Sequence, residues 1–380
     1  MSEYSDGFEF LKALKERTRK ESAGYSEFSK YLEQKARKMG IPLHGQFELT
    51  PLCNFRCGMC YVRLSDGQMG QKLLNPEQWK DLMSQAVEAG MLSATLTGGE
   101  CLAYPGFREV FEHLQHLGCK VDVLTNGALL DEGWIRYFRQ HRPERIFITL
   151  YGDSEDTYER VTGQRAFGKV SGNLRKIREA ELPLWINVTP CRELGEDVFG
   201  TIRLARELSR NVRINPMLFQ PREETGRSRD FADLDADFYI RILRFRNELK
   251  GVHLETCPAE CLPAEGGPDP DKVVHGVLCG GGRSGFNVNW KGVMIPCNLL
   301  DGIKAWPLET GFSEAWRQIR EAVEQWPRSS ACDGCAYEDV CESCVGQMAD
   351  FAEPGTWPRA LCERTKRFVR QGVYPVPDCK

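Results

Sequence analysis

Three cysteines lie close together in one short segment of this sequence. Cys53, Cys57 and Cys60 have the spacing C-x-x-x-C-x-x-C and follow an apolar, strand-like run over residues 47–52. Three thiolates on one loop can bind three corners of an iron–sulfur cluster and leave its fourth iron without a protein ligand. An open metal position is typical of a catalytic site, because structural sites use all their ligands. The alternatives are a zinc site that lacks one ligand and chance clustering in a cysteine-rich chain.

A second group of cysteines lies in the C-terminal part of the chain, with the pattern C-x-x-C-x5-C-x-x-C over residues 332–344. Two C-x-x-C units can clamp a zinc ion, so zinc is one interpretation. Cluster ligation is favoured because the chain already carries an open cluster site, and two complete four-cysteine clusters would need eight ligands. The eighth ligand would be Cys261 or Cys257, or one cluster would keep an open iron. The predicted ligands of this group are Cys279, Cys297, Cys332, Cys335, Cys341, Cys344 and Cys362.

The overall composition disfavours several classes of protein, namely nucleic-acid-binding, membrane-bound and secreted proteins. The chain has 380 residues, enough for more than one domain, and a net charge of −4 without a long run of one sign. This balance disfavours a nucleic-acid footprint or a basic membrane-binding face. Residues 1–20 are charged and lack the apolar core of a signal peptide, and no later run approaches a membrane span. We therefore expect a cytoplasmic protein in which metal ligation, rather than disulfide bonding, accounts for most of the 16 cysteines, while a few are buried as small hydrophobic residues.

Short β-rich runs alternate with amphipathic helices between residues 47 and 255. Six β-α alternations predict an α/β fold with a parallel sheet. Six units could curl into an open, partial (β/α)6 barrel similar to a TIM barrel, since a complete barrel has eight, and the active site of such a fold collects at the carboxyl ends of its strands. The three-cysteine loop follows the first predicted strand, where a site of this kind belongs. The predicted strands cover residues 46–50, 93–97, 120–125, 145–150, 184–189 and 212–219.

Changes in composition divide the chain into five predicted segments. The cysteine-rich segment begins with a predicted hairpin over residues 286–296 and takes Cys279 as its first ligand. Its last part, from Cys332 to Cys362, is too short and too polar to fold on an apolar core, so metal binding would have to stabilise that part. The segments are a helical N-terminal extension (1–45), the partial barrel (46–255), a linker rich in Gly and Pro (256–285), the cysteine-rich domain (286–365) and a C-terminal tail (366–380).

Together the two cysteine motifs resemble those of a known family. The loop over residues 53–60, followed by Tyr61, resembles the signature of radical S-adenosylmethionine (SAM) enzymes. The C-terminal group, with Gly292 five residues before Cys297, resembles the SPASM extension that holds auxiliary [4Fe-4S] clusters. The resemblance implies a [4Fe-4S] cluster that binds SAM through its open iron, two auxiliary [4Fe-4S] clusters, and cleavage of SAM to methionine and a 5′-deoxyadenosyl radical.

The resemblance also implies which residues contact SAM. Met59 stands at the apolar position that packs on adenine, and Gly98-Gly99-Glu100 resembles the motif that meets the SAM amino group. Glycine allows close backbone approach there, and a carboxylate suits an ammonium group. The family commonly has Pro after that Glu, whereas Cys101 here is an extra ligand, a redox group or a neutral substitution. Further expected contacts, each of which could instead be a turn or cap residue, are Tyr61, Asn126, Thr149 and Asn187.

Relatives with both motifs commonly modify peptides or proteins. The resemblance therefore implies an oxidoreductase that forms a thioether or carbon–carbon crosslink in a ribosomally made peptide, with a flavodoxin or ferredoxin as electron donor. Residues 1–45 are too short for a leader-binding domain, so leader recognition would need a separate protein or another surface.

Two alternatives stay open. Sulfatase-maturing relatives, which oxidise a Cys or Ser to formylglycine, carry an Asp base directly after the position of Cys297, whereas Asn298 here cannot accept a proton in that way. The other alternative is a non-catalytic zinc or iron–sulfur electron carrier.

Overall fold

The computed structural model of this protein describes most of the chain. The candidate ligands Cys257 and Cys261 and most of the predicted N-terminal extension lie outside the described residues. The described residues are 28–64, 72–215, 218, 220–222, 235–256, 262, 269, 271–338, 340–341, 344–346, 348 and 353–376.

Six parallel strands follow one another across the main sheet in chain order. This arrangement confirms the predicted α/β fold and its partial barrel. Strand β1 begins two residues before its predicted start, and β6 begins at its predicted start. Residues 216, 217 and 219 of the range predicted for β6 lie outside the described residues. The six strands are β1 (His44–Glu48), β2 (Ser93–Thr97), β3 (Lys120–Thr125), β4 (Arg145–Thr149), β5 (Leu184–Val188) and β6 (Val212–Ile214).

Helices return the chain between these strands, and residues 28–39 before β1 are also helical. The sequence marks the first return helix clearly. Asn75 Oδ1 accepts from the backbone N–H of Gln78 (2.9 Å), Gln78 Oε1 accepts from the backbone N–H of Asn75 (3.1 Å), and Pro76 opens the helix. The helices are α1 (Pro76–Glu88), α2 (Phe107–His116), α3 (Glu132–Gln140), α4 (Glu155–Thr162), α5 (Phe167–Glu179), α6 (Asp197–Leu208) and α7 (Ala236–Leu249), with a 3₁₀ turn over Cys101–Ala103.

Alternation along the strands separates two faces of the sheet. Apolar residues at every second position, such as Leu96, Ile148 and Ile186, are fully buried in the main core. The register places polar, charged and aromatic residues together on the opposite face: Phe147 pairs with Trp185, and Thr149 pairs with Asn187. The face with polar, charged and aromatic residues is therefore the one available to form a functional site.

The predicted hairpin is present, and it joins the main sheet. Strand β8 (Gly285–Val288) pairs parallel with β1 and antiparallel with β9 (Met294–Ile295). The first strand of the predicted cysteine-rich domain therefore continues the sheet of the barrel. The remaining elements are β7 (Val273–His275), its antiparallel partner β10 (Pro327–Ser329), helices α8 (Pro307–Thr310), α9 (Phe312–Glu324) and α10 (Arg359–Arg370), and a 3₁₀ turn over Ser330–Cys332.

Within the ranges given above, none of the helices is both long enough and apolar enough to span a membrane.

Candidate metal and cofactor site

One pocket opens at the carboxyl ends of the parallel strands. It encloses about 860 Å³, part of which is open to solvent. The loop contributes all three of its cysteines, and strands β2 to β5 contribute residues at or near their ends. The structure thus brings together nine of the eleven residues predicted for this centre. They are Cys53, Cys57, Cys60, Tyr61, Gly98, Gly99, Asn126, Thr149 and Asn187.

The other two predicted residues, Met59 and Glu100, do not belong to the lining of this pocket. Met59 packs in the main apolar core, and Glu100 is only 1% exposed. The Glu100 carboxylate accepts hydrogen bonds from Thr125 Oγ1 (2.7 Å) and from the backbone N–H of Asn126 (2.8 Å). Burial raises the pKa of Glu100, although these donors oppose the rise. The carboxylate therefore holds the end of β3 in place, and contact of either residue with SAM stays a prediction.

Asn126 connects the end of β3 to the cysteine loop. Its Nδ2 donates to Asn54 Oδ1 (2.7 Å) and, more weakly, to Cys53 Sγ (3.6 Å). Its Oδ1 accepts from the backbone N–H of Ala128 (3.0 Å), which fixes the orientation of the amide. Hydrogen bonds to a ligating sulfur tune the potential of an iron–sulfur cluster. Asn126 is therefore placed to act on the cysteine loop as well as on a ligand in the pocket.

Helix α4 holds the cysteine loop from another side. The backbone N–H of Arg56 donates to the carbonyl of Thr162 (2.8 Å), and that of Gly58 donates to the carbonyl of Val161 (3.3 Å). Both carbonyl groups lie in the last turn of α4, where they have no partner within the helix. Phe55 packs edge-on against the ring of Tyr158. Backbone hydrogen bonds to α4 therefore help to hold the cysteine loop in place.

The glycines after β2 allow its end to approach the cysteine loop closely. The backbone N–H of Gly99 donates to the carbonyl of Thr50 (2.7 Å), and that of Glu100 donates to the carbonyl of Leu52 (2.8 Å). A Cβ atom on Gly99 would lie 2.4 Å from the Leu52 carbonyl oxygen. Gly98 has a φ of +140°, a backbone conformation that residues with a side chain rarely adopt. Both glycines are therefore required by packing against the loop that carries the cysteines.

We expect Gly99→Ala to destabilise the protein by about 1–3 kcal/mol, because the new methyl group must displace backbone atoms. Denaturant unfolding measures this change. Gly172→Ala in α5 is the matched control: no atom lies within 4 Å of its added Cβ, so alanine should stabilise by about 0.5–1 kcal/mol. Unfolding midpoints that shift equally in both variants would contradict the tight packing at Gly99.

The thiols of the loop suit a cluster of soft, positively charged irons. Without a bound cation, burial raises the pKa of Cys53 to about 11 and also raises that of Cys57, with neighbouring thiols adding to both shifts. Iron offsets this effect, because ligation stabilises the thiolates and releases their protons. Among the described residues no three His, Cys, Asp or Glu side chains are grouped closely enough to hold one metal ion. A four-iron cluster is itself larger than an ion, so its ligands stand further apart.

Tyr61 joins the cysteine loop to the segment after β9. Its hydroxyl group accepts a hydrogen bond from Asn298 Nδ2 (2.7 Å), and its carbonyl accepts from the backbone N–H of Arg222 (3.1 Å). Burial raises the pKa of Tyr61, so its hydroxyl group stays neutral. Asn298 therefore acts as an amide donor at the position where sulfatase-maturing relatives carry an Asp base.

Cys101 is a buried thiol of the core. It is 0% exposed, and its Sγ donates to the carbonyl of Leu124 (3.0 Å). Burial raises its pKa well above the ordinary value, and it does not belong to the lining of the pocket. These features favour the neutral substitution over a ligand or redox role.

Four of the C-terminal cysteines line one largely apolar cavity. They are Cys332, Cys335, Cys341 and Cys362. Trp357 Nε1 donates to Cys362 Sγ (3.2 Å), and Thr365 Oγ1 donates to Cys341 Sγ (3.6 Å). A largely apolar cavity with hydrogen-bond donors directed at the thiols suits a cluster.

The other described C-terminal cysteines form a separate group of three. Burial raises the pKa of Cys297 to about 12, and the nearby thiols of Cys344 and Cys279 contribute to the rise. The backbone at Gly281 passes between two of them, since a Cβ there would lie 3.6 Å from Cys279 Sγ and 3.5 Å from Cys297 Cβ. Cys344 therefore lies apart from the other three cysteines of its sequence motif, Cys332, Cys335 and Cys341.

A buried ion pair beside the loop was not predicted. Arg222 Nη2 lies 2.7 Å from Glu48 Oε2, and both side chains are at most 2% exposed. The guanidinium group also lies 6.0 Å from the ring centre of Tyr61 and 5.6 Å from that of Trp290. The sequence signal for this pair was Glu48, a charged residue within the apolar run over residues 47–52, since such a group needs a buried partner.

Comparison with known proteins agrees with this geometry. A profile of the radical SAM superfamily matches residues 47–220, which span β1 to β6 and contain the whole pocket. This chain is a radical SAM enzyme. Its domain implies a [4Fe-4S] cluster and SAM as cofactors.

Two relatives match this radical SAM enzyme over most of its length. The AdoMet-dependent heme synthase of Methanosarcina barkeri is 25% identical over 320 residues, which cover 78% of this chain and 89% of the relative. The antilisterial bacteriocin subtilosin biosynthesis protein AlbA of Bacillus subtilis is 22% identical over 318 residues, covering 80% and 67%.

A solved structure shares the fold of the enzyme. The crystal structure of Streptococcus suis SuiB bound to precursor peptide SuiA superimposes with a TM-score of 0.63 at 16% identity, covering 85% of this chain and 76% of SuiB. At this level of identity the likeness concerns the fold alone, including its extension beyond the barrel.

Proposed function

We propose that this radical SAM enzyme modifies a peptide or protein, with a thioether or carbon–carbon crosslink in a ribosomally made peptide as the product. The observation that carries the proposal is the single pocket in which three cysteines with an open cluster position meet the polar ends of four strands. When bound, the cluster and SAM supply the 5′-deoxyadenosyl radical that removes a hydrogen atom from the substrate. Support for a peptide comes from the subtilosin biosynthesis relative and from the peptide-bound SuiB structure.

We assign the roles of the pocket residues as follows. Cys53, Cys57 and Cys60 hold the cluster, and their loop is fixed by hydrogen bonds from its backbone. Asn126 orients the loop and donates toward Cys53 Sγ. The expected contacts with SAM are Met59, Tyr61, Gly98, Gly99, Glu100, Asn126, Thr149 and Asn187, with Glu100 acting at least through the β3 end that it holds.

Two auxiliary [4Fe-4S] clusters are proposed in the C-terminal part of the chain. The four cysteines that share one cavity form a complete ligand set for one cluster. The group of Cys279, Cys297 and Cys344 would hold the other, either with Cys261 or Cys257 as its fourth ligand or with an open iron. Reduction would come from a flavodoxin or ferredoxin, and a separate leader-binding protein would deliver the peptide.

Mass spectrometry of a candidate peptide tests this function. The peptide is incubated with SAM and reduced enzyme under anaerobic conditions, and each crosslink should lower its mass by two hydrogens. Tandem fragmentation should then fail to separate the two joined residues. A parallel reaction without SAM is the control.

The same experiment separates the alternatives. A product that reacts with a hydrazide probe contains formylglycine and would revive sulfatase maturation. Because one relative is named for heme synthesis, the reaction is repeated without peptide but with small molecules. Conversion of a small molecule, with every peptide left unchanged, would contradict the proposal.

A further inference from the structure

A group of positively charged side chains lines a second cavity, beside strand β6. This cavity encloses about 830 Å³, part of it open solvent. Arg206 comes from the last turn of α6, Arg213 from β6, Arg246 from the last turn of α7, and Lys250 caps α7. We call these four residues the cationic edge. The lining contains no acidic residue, and within the described chain none of the four forms an ion pair.

The neighbouring charges do not neutralise the cationic edge. The acidic group that acts on Arg213 is Asp122 on β3, and it is held by Arg145 through Nε–Oδ1 (2.9 Å) and Nη2–Oδ2 (2.5 Å) contacts. Burial and the positive charge of Arg145 lower the pKa of Arg213. Arg246 donates to a neutral partner, Asn247 Oδ1 (3.1 Å). Among the described residues, the positive charge of this site is therefore not balanced by negative charge.

Strand β6 also offers main-chain groups to a partner. It is an edge strand of the sheet formed by the described residues. The backbone N–H of Ile186 donates to the Asn211 carbonyl, and that of Asn215 donates to the Val188 carbonyl (both 2.9 Å). Residues that bond to a neighbour alternate along a parallel strand, so the N–H and C=O groups of even-numbered residues 212 and 214 point away from β5. Such an edge is a template for an added strand.

The cationic edge lies beside the pocket of the cysteine loop, which we call the SAM pocket. The Arg213 guanidinium lies 4.8 Å from the ring centre of Phe147 and 4.8 Å from that of Trp185. Phe147 also lines the SAM pocket. In the register of the sheet Arg213 stands opposite Asn187, which lines the same pocket. A chain lying along β6 would therefore run beside the cofactor site.

We propose that an acidic, extended segment of the peptide substrate adds to the outer edge of β6 and pairs its carboxylates with the cationic edge. This inference rests on the proposed function and names the substrate class that the site would select. An extended peptide directs alternate side chains to opposite faces, so acidic residues can meet both Arg213 and the cations of α6 and α7. Guanidinium groups also match carboxylates in a bidentate geometry.

Fluorescence anisotropy with labelled peptides tests the inference on the full-length protein. The probe is a peptide of about eight residues in which Glu-Glu pairs alternate with Thr-Val pairs. Versions with Gln-Gln and Lys-Lys pairs are the neutral and basic controls. Binding of the acidic probe alone, weakened as NaCl rises from about 0.05 M to about 0.5 M, is the expected result. Equal binding of the neutral peptide would overturn the role of charge.

Variants locate the binding site. Exposed charge pairs are each worth about 1.4- to 5-fold in affinity, so R213Q/R246Q/K250Q should weaken binding on the order of tenfold. A matched triple change removes exposed cations on distant helices: R139Q/K169Q/R175Q should leave the affinity within about twofold. Equal losses in the two variants would overturn the assignment to β6.

The main-chain contact has its own test. Two probes carry N-methyl groups on alternate amides, in the two possible phases. Only the probe whose methylated amides face β6 should lose binding, since the other keeps its strand hydrogen bonds. If both N-methylated probes bind as well as the parent peptide, no strand is added.

A further outcome concerns this chain's own acidic residues. The variant E223Q/E224Q/D230N/D233N removes four of these acidic groups. If this variant binds the acidic probe and the wild-type protein does not, the chain's own acidic residues occupy the outer edge of β6 and the inference fails.

Formation of 5′-deoxyadenosine by wild-type enzyme without peptide is measured separately. Its presence together with absent probe binding would reject the docking site while the radical SAM chemistry stands.

Discussion

Replacement of Cys53, Cys57 and Cys60 together by Ala is expected to abolish the formation of 5′-deoxyadenosine. The three thiols line one pocket, and their backbone is held by α4 and by the end of β2. Alanine supplies no iron ligand, so the cluster that binds SAM cannot assemble. The described C-terminal cysteines do not line this pocket and should keep their iron. Iron analysis should therefore show a loss of about four irons per chain out of about twelve.

The control for this experiment is Cys119→Ala, which removes a buried thiol whose Sγ lies 3.7 Å from the carbonyl of Met91. This thiol is remote from the pocket lining, so the variant should keep both its iron content and SAM cleavage. Persistent 5′-deoxyadenosine in the triple variant would reject the assignment of the loop. Loss of all iron would instead show that the C-terminal clusters depend on the first.

Arg222→Met is expected to lower the free energy of unfolding by about 3–5 kcal/mol, because it leaves the Glu48 carboxylate buried without its cationic partner. The pair has a 2.7 Å contact and is at most 2% exposed, so water cannot replace the lost partner. The double change Glu48→Met with Arg222→Met should recover much of the loss, because two apolar groups remove the need for pairing. Denaturant unfolding of the metal-free protein measures all three stabilities.

Arg241→Met provides the matched comparison. Arg241 pairs with Glu196 at 2.7 Å, but both side chains are more than half exposed. Its loss should change stability by less than about 1 kcal/mol, since solvent screens such pairs. If Arg222→Met has as small an effect as Arg241→Met, the Glu48 carboxylate is not trapped in the core.

The local patterns of the sequence predicted much of the fold. Strands β2 and β3 have their predicted bounds, because an apolar face and a turn at each end define them. The start of β1 was placed two residues late, since Gly45 and His44 carry no apolar signal yet pair with Ala94 and Ser93. Pairing across the sheet depends on distant residues, which a local pattern does not contain.

The sequence predicted which residues lie at the site better than it predicted where their side chains point. Glu100 carries a carboxylate suited to an ammonium group, but the fold turns it toward Thr125 and the Asn126 backbone. The division of the C-terminal cysteines into two groups could not be predicted from the motif either. Cys344 belongs to the motif over residues 332–344, but in the structure it lies near Cys297. Both results arise from tertiary contacts between segments that are far apart in the chain.

The parallel pairing of β8 with β1 has a consequence for electron flow. Cys53 follows β1 by five residues, and Cys297 follows β9, the hairpin partner of β8, by two. One hydrogen-bonded ladder therefore sets the spacing between the first cluster site and the three-cysteine group. Tunnelling rates fall steeply with distance, so this ladder would fix the rate of electron transfer between the first cluster and the auxiliary cluster proposed at the three-cysteine group.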